Sequence, residues 1–207
     1  TALSMLGVSP FSTASSYVYG VVPMFILMGN LAMHSGISRD LFNAASCWLG
    51  RLPGGLAIST VAGCAGFSAV SGDSMATAVT MASVALPEMK RKRYDQPFAC
   101  ATLACGGTLG ILIPPSTGFI FYSLVTEASI GKLFMAGVIP GVLLALFFMA
   151  AVFIFSRRHP DLAPVGDPTT FRQKLRSLRG VLPMLALIFI ILGGILGGLF
   201  SPNAGGA

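Results

Sequence analysis

Residues 52–87 hold one charged side chain, Asp73, in a run otherwise made of small, hydroxyl-bearing and apolar residues. As one continuous helix the run would measure about 54 Å at ~1.5 Å per residue, far beyond the ~30 Å hydrocarbon core of a bilayer. It is too short for two full crossings of ~20 residues each plus a turn. The length fits a helical hairpin that dips into the membrane and returns, with Ser71-Gly72-Asp73-Ser74 at its tip. Arg51 precedes the run, and Lys90-Arg91-Lys92-Arg93 follow it. Positive charge favours the cytoplasmic side, so both ends are expected on that side. Irregular backbone at membrane depth is tolerated only where protein buries it or where it lines a watery cavity. Solute and ion sites of secondary transporters are built in this way.

Composition bears on the same point. The chain is 54% hydrophobic and 10% charged, with a mean hydropathy of +0.81. A soluble domain carries roughly 25% charged residues, so an integral membrane protein is expected. The net charge of +6 comes largely from clusters at 90–93, 157–158 and 172–179, each directly beside an apolar run. Such placement is a topology signal, and no nucleic-acid partner is expected. The chain begins at Thr1 without a basic region, apolar core and cleavage site, and is expected to be a piece of a longer protein.

The predicted layout is all-α and polytopic. Residues 1–16 are Ser/Thr-rich and read as a surface loop, and residues 17–33 form a first apolar span. Residues 39–50 place Leu41, Phe42, Ala45 and Trp48-Leu49 at helical spacing, which predicts an amphipathic helix along the membrane interface. The hairpin of 52–87 comes next. Residues 96–126 are again uncharged and, at about 46 Å if helical throughout, too long for a simple span. Their middle carries Gly106, Gly107 and Gly110, then Pro114-Pro115. Glycine lowers helix propensity, and proline removes a donor and disfavours α geometry before it. A discontinuous helix is predicted: one half ending near Cys105, an extended segment, and a second half starting at Pro114-Pro115. Residues 131–155 form an ordinary span and 157–179 a basic connector whose later part lies on the membrane surface. Residues 180–200 form the last span, with Gly193-Gly194 and Gly197-Gly198 as packing positions. Threaded in this order, every basic cluster lands inside.

Two places carry chemistry. Helix C-termini expose carbonyls and helix N-termini expose N–H groups, each worth about half a charge. Two such breaks at mid-membrane can hold a hard cation with oxygens and meet an anion with helix N-termini. The expected ion ligands are drawn from Ser71, Gly72, Asp73, Ser74, Gly106, Gly107, Thr108 and Gly110, through hydroxyls, a carboxylate and carbonyls. Ser74, Pro114, Pro115 and Ser116 are the expected substrate-facing positions. Capping of the following helix competes with coordination for Ser71, Asp73 and Ser74. Helix packing competes for the three glycines. A carboxylate at membrane depth is functional by default, which favours coordination at Asp73.

Other chemistry finds little support. Cys47, Cys64, Cys100 and Cys105 form no Cys-x-x-Cys pair, and His34 and His159 are isolated. There is no nucleotide loop, zinc motif or nucleophile elbow. An intramembrane aspartyl protease needs two carboxylates within spans, and Asp73 alone qualifies. No enzyme and no cofactor beyond coupling ions is expected. A non-transporting membrane scaffold is the alternative to a permease, and it would need no polar tip.

The segments VPMFILMGNLAMHSG (22–36), GGLAISTVAGCAGFSAVSGDSMATA (54–78), LPEMKRKRYD (86–95), GGTLGILIPPS (106–116) and ASIGKLFMAGVIPG (128–141) closely resemble the large membrane subunit of TRAP transporters, the tripartite ATP-independent periplasmic family. The resemblance runs from about Val22 to the end of the chain. It implies an ion-transporter-superfamily fold of two inverted repeats, of which one is present here, with an elevator mechanism and sodium coupling. It implies a multi-pass protein of the bacterial cytoplasmic (inner) membrane. The implied partners are a small four-helix membrane subunit and a periplasmic binding protein that delivers organic acids. The family's first hairpin tip maps onto Ser71 to Ser74, and its unwound helix onto Gly106 to Ser116. Many relatives carry a small or hydroxyl residue where this chain has Asp73. The implied organisation is a scaffold span and interfacial helix in 1–50, transport elements in 51–126, a span and connector in 127–179, and a span leading to a second repeat in 180–207.

Overall fold

The computed structural model describes residues 21–164, 166, 170–197 and 199, and contains helices but no strand among them. The loop expected at 1–16 and the start of the first span lie outside the described residues. The helices are α1 (Val21–His34), α2 (Ile37–Leu49), α3 (Gly55–Ser71), α4 (Ser74–Arg91), α5 (Gln96–Gly107), α6 (Thr117–Thr126), α7 (Ile130–Arg158) and α8 (Phe171–Leu196). A short 3-10 turn, Thr108–Ile111, extends α5.

Helix α3 is the axis of the molecule. It is apolar all round, and nearly every residue from Gly55 to Ser71 is buried, as a helix without a polar face must be. Helices α2, α4, α5 and α7 pack around it. Phe42 of α2, Phe67 of α3, and Met81 and Met89 of α4 fill the main core. Because lipid is as apolar as these side chains, their packing holds the helices together more than their removal from water does. A second cluster joins Phe25 of α1, Ile120 of α6, Phe134 of α7 and Ile191 of α8. There the Phe25 and Phe134 rings meet edge-on at 6.4 Å.

α3 and α4 form an antiparallel pair joined by Gly72 and Asp73 alone. The pairing register is visible in contacts that climb the two helices. Ser71 meets Thr77 near the tip, and Thr60 meets Met89 near the base. At 17 and 18 residues, each helix is about 25–27 Å long. The base of the pair is fastened to the α7–α8 connector. The Tyr94 hydroxyl donates to the Pro164 carbonyl at 2.9 Å, the Asp95 N–H to Leu162 at 3.0 Å, and the Gly166 N–H to Gly50 at 3.0 Å. Ser156, near the end of α7, lies against Gly54.

Among the described residues, two helices are long and apolar enough to cross a bilayer, α7 and residues 171–195 of α8. Only 11% of the most apolar window of α7 is buried within the chain. Phe147, Ile139 and Leu146 therefore face outward, an arrangement suited to lipid or to further protein.

Several boundaries differ from expectation. The glycines do not open α5, which runs through Gly107 and tightens into the 3-10 turn, so the irregular stretch is confined to 112–116. The second half of the broken helix starts at Thr117, with Ser116 as its N-cap; Pro114 and Pro115 belong to the break. Residues 171–179, expected to lie on the surface, are continuous with the last span. A capping box between Thr170 and Gln173 starts that helix and holds it in one piece. α2 is amphipathic as expected, but its buried face, with Leu41, Phe42 and Ala44, covers α3 and α8. Among the described residues, nothing lies within 4 Å of a Cβ placed on Gly193.

Candidate ion and substrate site

The tip of the hairpin is shaped by its own sequence. α3 ends at Gly72, whose φ of 62° is the left-handed conformation that glycine adopts at low cost, and its N–H bonds the Ser68 carbonyl. Asp73 is extended, and its Oδ1 accepts the Ala76 N–H at 2.7 Å, so it is the N-cap of α4. Ser74 is the first residue inside α4 and not its cap.

A buried hydroxyl chain braces the turn from within. The Thr77 hydroxyl donates to the Asp73 carbonyl at 2.7 Å. Its single proton is spent there, so the 2.7 Å contact with Ser71 Oγ is a bond donated by Ser71. Thr77 is wholly buried and Ser71 nearly so. Sequence reasoning missed Thr77, although its place four residues after Asp73 puts it on the tip-facing side of α4.

The tip presses against the break in the second element. Thr117 opens α6, and its N–H and its hydroxyl both donate to the Gly72 carbonyl, each at 3.0 Å. The negative end of α3 thereby meets the positive end of α6. A Cβ on Gly72 would lie 2.5 Å from the Pro115 carbonyl oxygen. A Cβ on Gly110 would run into the backbone of Asp73 and Ser74, and one on Gly107 would lie 2.7 Å from Ala78 Cβ. From the other side α1 closes in, where a Cβ on Gly29 would lie 3.0 Å from the Ser71 carbonyl oxygen. Across the break, the Ser116 hydroxyl donates to the Ile111 carbonyl at 2.6 Å.

The fold therefore gathers Ser71, Gly72, Asp73, Ser74, Gly107, Gly110, Pro115 and Ser116 around one point. Gly106 lies to the side, packed toward Cys64 and Val61 of α3. The Thr108 hydroxyl is exposed and donates to the Cys105 carbonyl at 2.7 Å, within its own helix end. Packing thus explains the glycines at 106, 107 and 110, and capping is one role Asp73 fulfils. Thr117 and Gly29 join the site without having been singled out. Thr117 was legible as the first residue after the Pro-Pro-Ser break.

Beside the tip lies a cavity of about 320 Å³, bounded by Gly29, Asn30 and Met33 of α1, by Ser71, Asp73 and Ala76, and by Thr117 and Phe121 of α6. Its walls are mostly apolar with a few convergent polar groups, the usual make-up of a small-molecule site. Among the described residues no group of three or more His, Cys, Asp or Glu side chains gathers to hold a metal. Any cation here would rest on carbonyl and hydroxyl oxygens with Asp73, a donor set suited to a hard ion.

Paired helix breaks inside a sheath of outward-facing apolar helices define a helical membrane protein of the transporter class. The model of the family described as "Tripartite ATP-independent periplasmic transporter, DctM component" matches residues 1–207, and the chain belongs to that family. It is 40% identical over 202 residues to the C4-dicarboxylate TRAP transporter large permease protein DctM of Pseudomonas aeruginosa, covering 98% of this chain and 47% of that protein. It is 37% identical to the ectoine/5-hydroxyectoine large permease UehC of Ruegeria pomeroyi, covering 90% of this chain and 43% of that protein. It is 33% identical to the sialic acid large permease SiaM of Vibrio cholerae, with the same coverage of 90% and 43%. The chain spans about half the length of the curated relatives it matches.

Proposed function

We propose that the chain supplies the first transport repeat of a TRAP large permease that imports small organic acids together with sodium. The observation that carries this is the double hydrogen bond from Thr117 to Gly72, which brings two helix breaks together beside a cavity of organic-acid size. α3 and α4 act as a re-entrant hairpin: each is short, and both outer ends are tied to the same connector at Gly50, Tyr94 and Asp95. Sodium binds at the tip through oxygens of Ser71, Gly72, Asp73 and Ser74, against which Gly107 and Gly110 pack, while Gly106 and Thr108 stand to the side. Ser74, Pro114, Pro115 and Ser116 line the substrate side. The hairpin and broken helix move as one body in an elevator step, since their mutual contacts leave little room for independent motion. The small four-helix membrane subunit and a periplasmic binding protein complete the system in the bacterial inner membrane.

The test is uptake against sodium concentration by the complete permease with both partners in proteoliposomes. Ser71→Ala and Ser74→Ala each remove one oxygen donor at the tip. A lost coordinating group costs on the order of 1–3 kcal/mol, a rise in the sodium requirement of roughly ten- to hundredfold. Unchanged sodium curves in both variants would sink the ion site. Cysteine labelling of Pro53 and Glu88 checks the hairpin independently, with both expected on the cytoplasmic face.

A further inference from the structure

The basic start of α8 divides its charges between two faces. Lys174 turns inward, its Nζ 5.5 Å from the centre of the Trp48 ring on α2. Arg172, Arg176 and Arg179 lie within about 60° of one another on the opposite side, at 100° of rotation per residue. All three are exposed, and none pairs with a carboxylate among the described residues. They border an open basin of about 690 Å³ together with Thr170, Gln173 and Leu175.

Further along the same helix, Val181 and Met184 are buried against the protein, on the side Lys174 shares. Ile190, 64% exposed, falls on the line of the arginines. The arginine stripe therefore continues directly into the outward-facing apolar stripe of a membrane-length helix. One ligand matches both halves of that surface. A phospholipid places phosphate oxygens beside the guanidinium groups and acyl chains beside Leu182, Phe189 and Ile190. Guanidinium groups bind phosphate through paired, charge-assisted hydrogen bonds. Three clustered cations favour a headgroup with net negative charge over a zwitterionic one.

We propose that Arg172, Arg176 and Arg179 form a binding site for an anionic phospholipid headgroup of the cytoplasmic leaflet. The proposal rests on α8 spanning the membrane, and the site holds one lipid against the helix that leads out of this repeat.

The experiment uses the complete permease with its small membrane subunit. After detergent washing, retained phospholipid is quantified for wild type, for Lys174→Gln, and for the triple variant Arg172→Gln, Arg176→Gln, Arg179→Gln. Wild type and Lys174→Gln are expected to keep phosphatidylglycerol. The triple variant should bind it on the order of a hundredfold more weakly, from about one kcal/mol per basic residue near an anionic surface. Equal retention in the triple variant overturns the site. Loss of the small subunit from that variant, with lipid retention unchanged, overturns it too and assigns the face to protein. A measurement on the wild type alone guards against a variant that fails to fold. In nanodiscs, amide exchange across residues 170–180 should be slower in phosphatidylglycerol than in phosphatidylcholine, and equal rates refute the proposal. Labelling of Ile190 by an apolar photoreactive probe in the same nanodiscs reports separately whether α8 lies in lipid.

Discussion

The Gly72 carbonyl oxygen accepts two hydrogen bonds from one residue, the N–H and the hydroxyl of Thr117, across a separation of 45 positions. The last carbonyl of one interrupted element satisfies the first N–H of another. Both groups would otherwise be orphans of their helix ends. A single contact thus resolves the cost of two helix breaks and fixes their relative position.

Thr117→Val keeps the N–H but deletes the hydroxyl donor, and should lower the unfolding free energy by about 1 kcal/mol. Gly72→Ala should do more harm. Its left-handed φ of 62° strains an L-residue by roughly 1–2 kcal/mol, and the added methyl meets the Pro115 carbonyl oxygen. Thermal unfolding of the complete permease in detergent should rank wild type above Thr117→Val above Gly72→Ala. A reversed order would show that the tip is not docked on α6.

Glycine content alone does not separate packing from tolerance, but the contacts do. Gly107→Ala places a methyl 2.7 Å from Ala78 Cβ and 3.3 Å from Ala78 Cα, where two helix backbones limit any adjustment. Overpacking of this kind costs typically 1–3 kcal/mol. Gly193→Ala meets nothing within 4 Å among the described residues and should leave stability equal or slightly raised, since alanine favours the helix. Parallel melting curves of the two variants decide the matter, and a destabilised Gly193→Ala would locate a partner on that face.

That 52–87 folds as two antiparallel helices was legible because hydropathy and length are local properties: the run holds one charge and is too long for one membrane helix. Its tip was legible because Gly72 and Asp73 are the residues that end and begin helices. The exact break in the second element was not. Gly106 and Gly107 look like helix breakers, yet tertiary packing against α3 and α4 overrides their weak intrinsic preference. The Thr117 contact depends on how elements 45 residues apart dock, which no local pattern encodes, whereas Thr77 bonds Asp73 and Ser71 within its own turn. The continuity of 171–179 with the last span was obscured by its charge, although the Thr170 and Gln173 capping box is a helix-start signal.

Tyr94 fastens the base of the hairpin. Its hydroxyl accepts the Leu56 N–H at 3.2 Å, capping an early donor of α3, and donates to the Pro164 carbonyl at 2.9 Å. Tyr94→Phe leaves both partners unsatisfied and should cost about 1–3 kcal/mol. Burial raises the Tyr94 pKa above its ordinary value, with the Leu56 hydrogen bond opposing in part. The folded state therefore holds this proton more tightly than the unfolded chain. The stabilisation is complete below about pH 10, and it fades as pH climbs from there through the raised folded value. Wild type should lose stability over that alkaline range more steeply than Tyr94→Phe, as unfolding midpoints measured against pH would record. Parallel curves for the two proteins would rule out a role for the phenol.

Asp73 carries two roles that substitution can separate. Its carboxylate caps α4 through the Ala76 N–H at 2.7 Å, and it borders the cavity beside the Gly72–Thr117 junction. Asparagine caps about as well as aspartate, so Asp73→Asn removes the charge and little else, whereas Asp73→Ala also loses the cap and about 0.5–2 kcal/mol of stability. If the charge serves the coupling ion, Asp73→Asn should insert and melt like wild type while its uptake falls or its sodium and pH dependence shifts. If capping is the whole role, Asp73→Asn should transport normally and Asp73→Ala alone should be damaged. Uptake against sodium and pH for both variants, with a melting curve for each, separates the outcomes. Wild-type curves from Asp73→Asn would remove Asp73 from the coupling chemistry and leave the ion to Ser71 and the carbonyls at the tip.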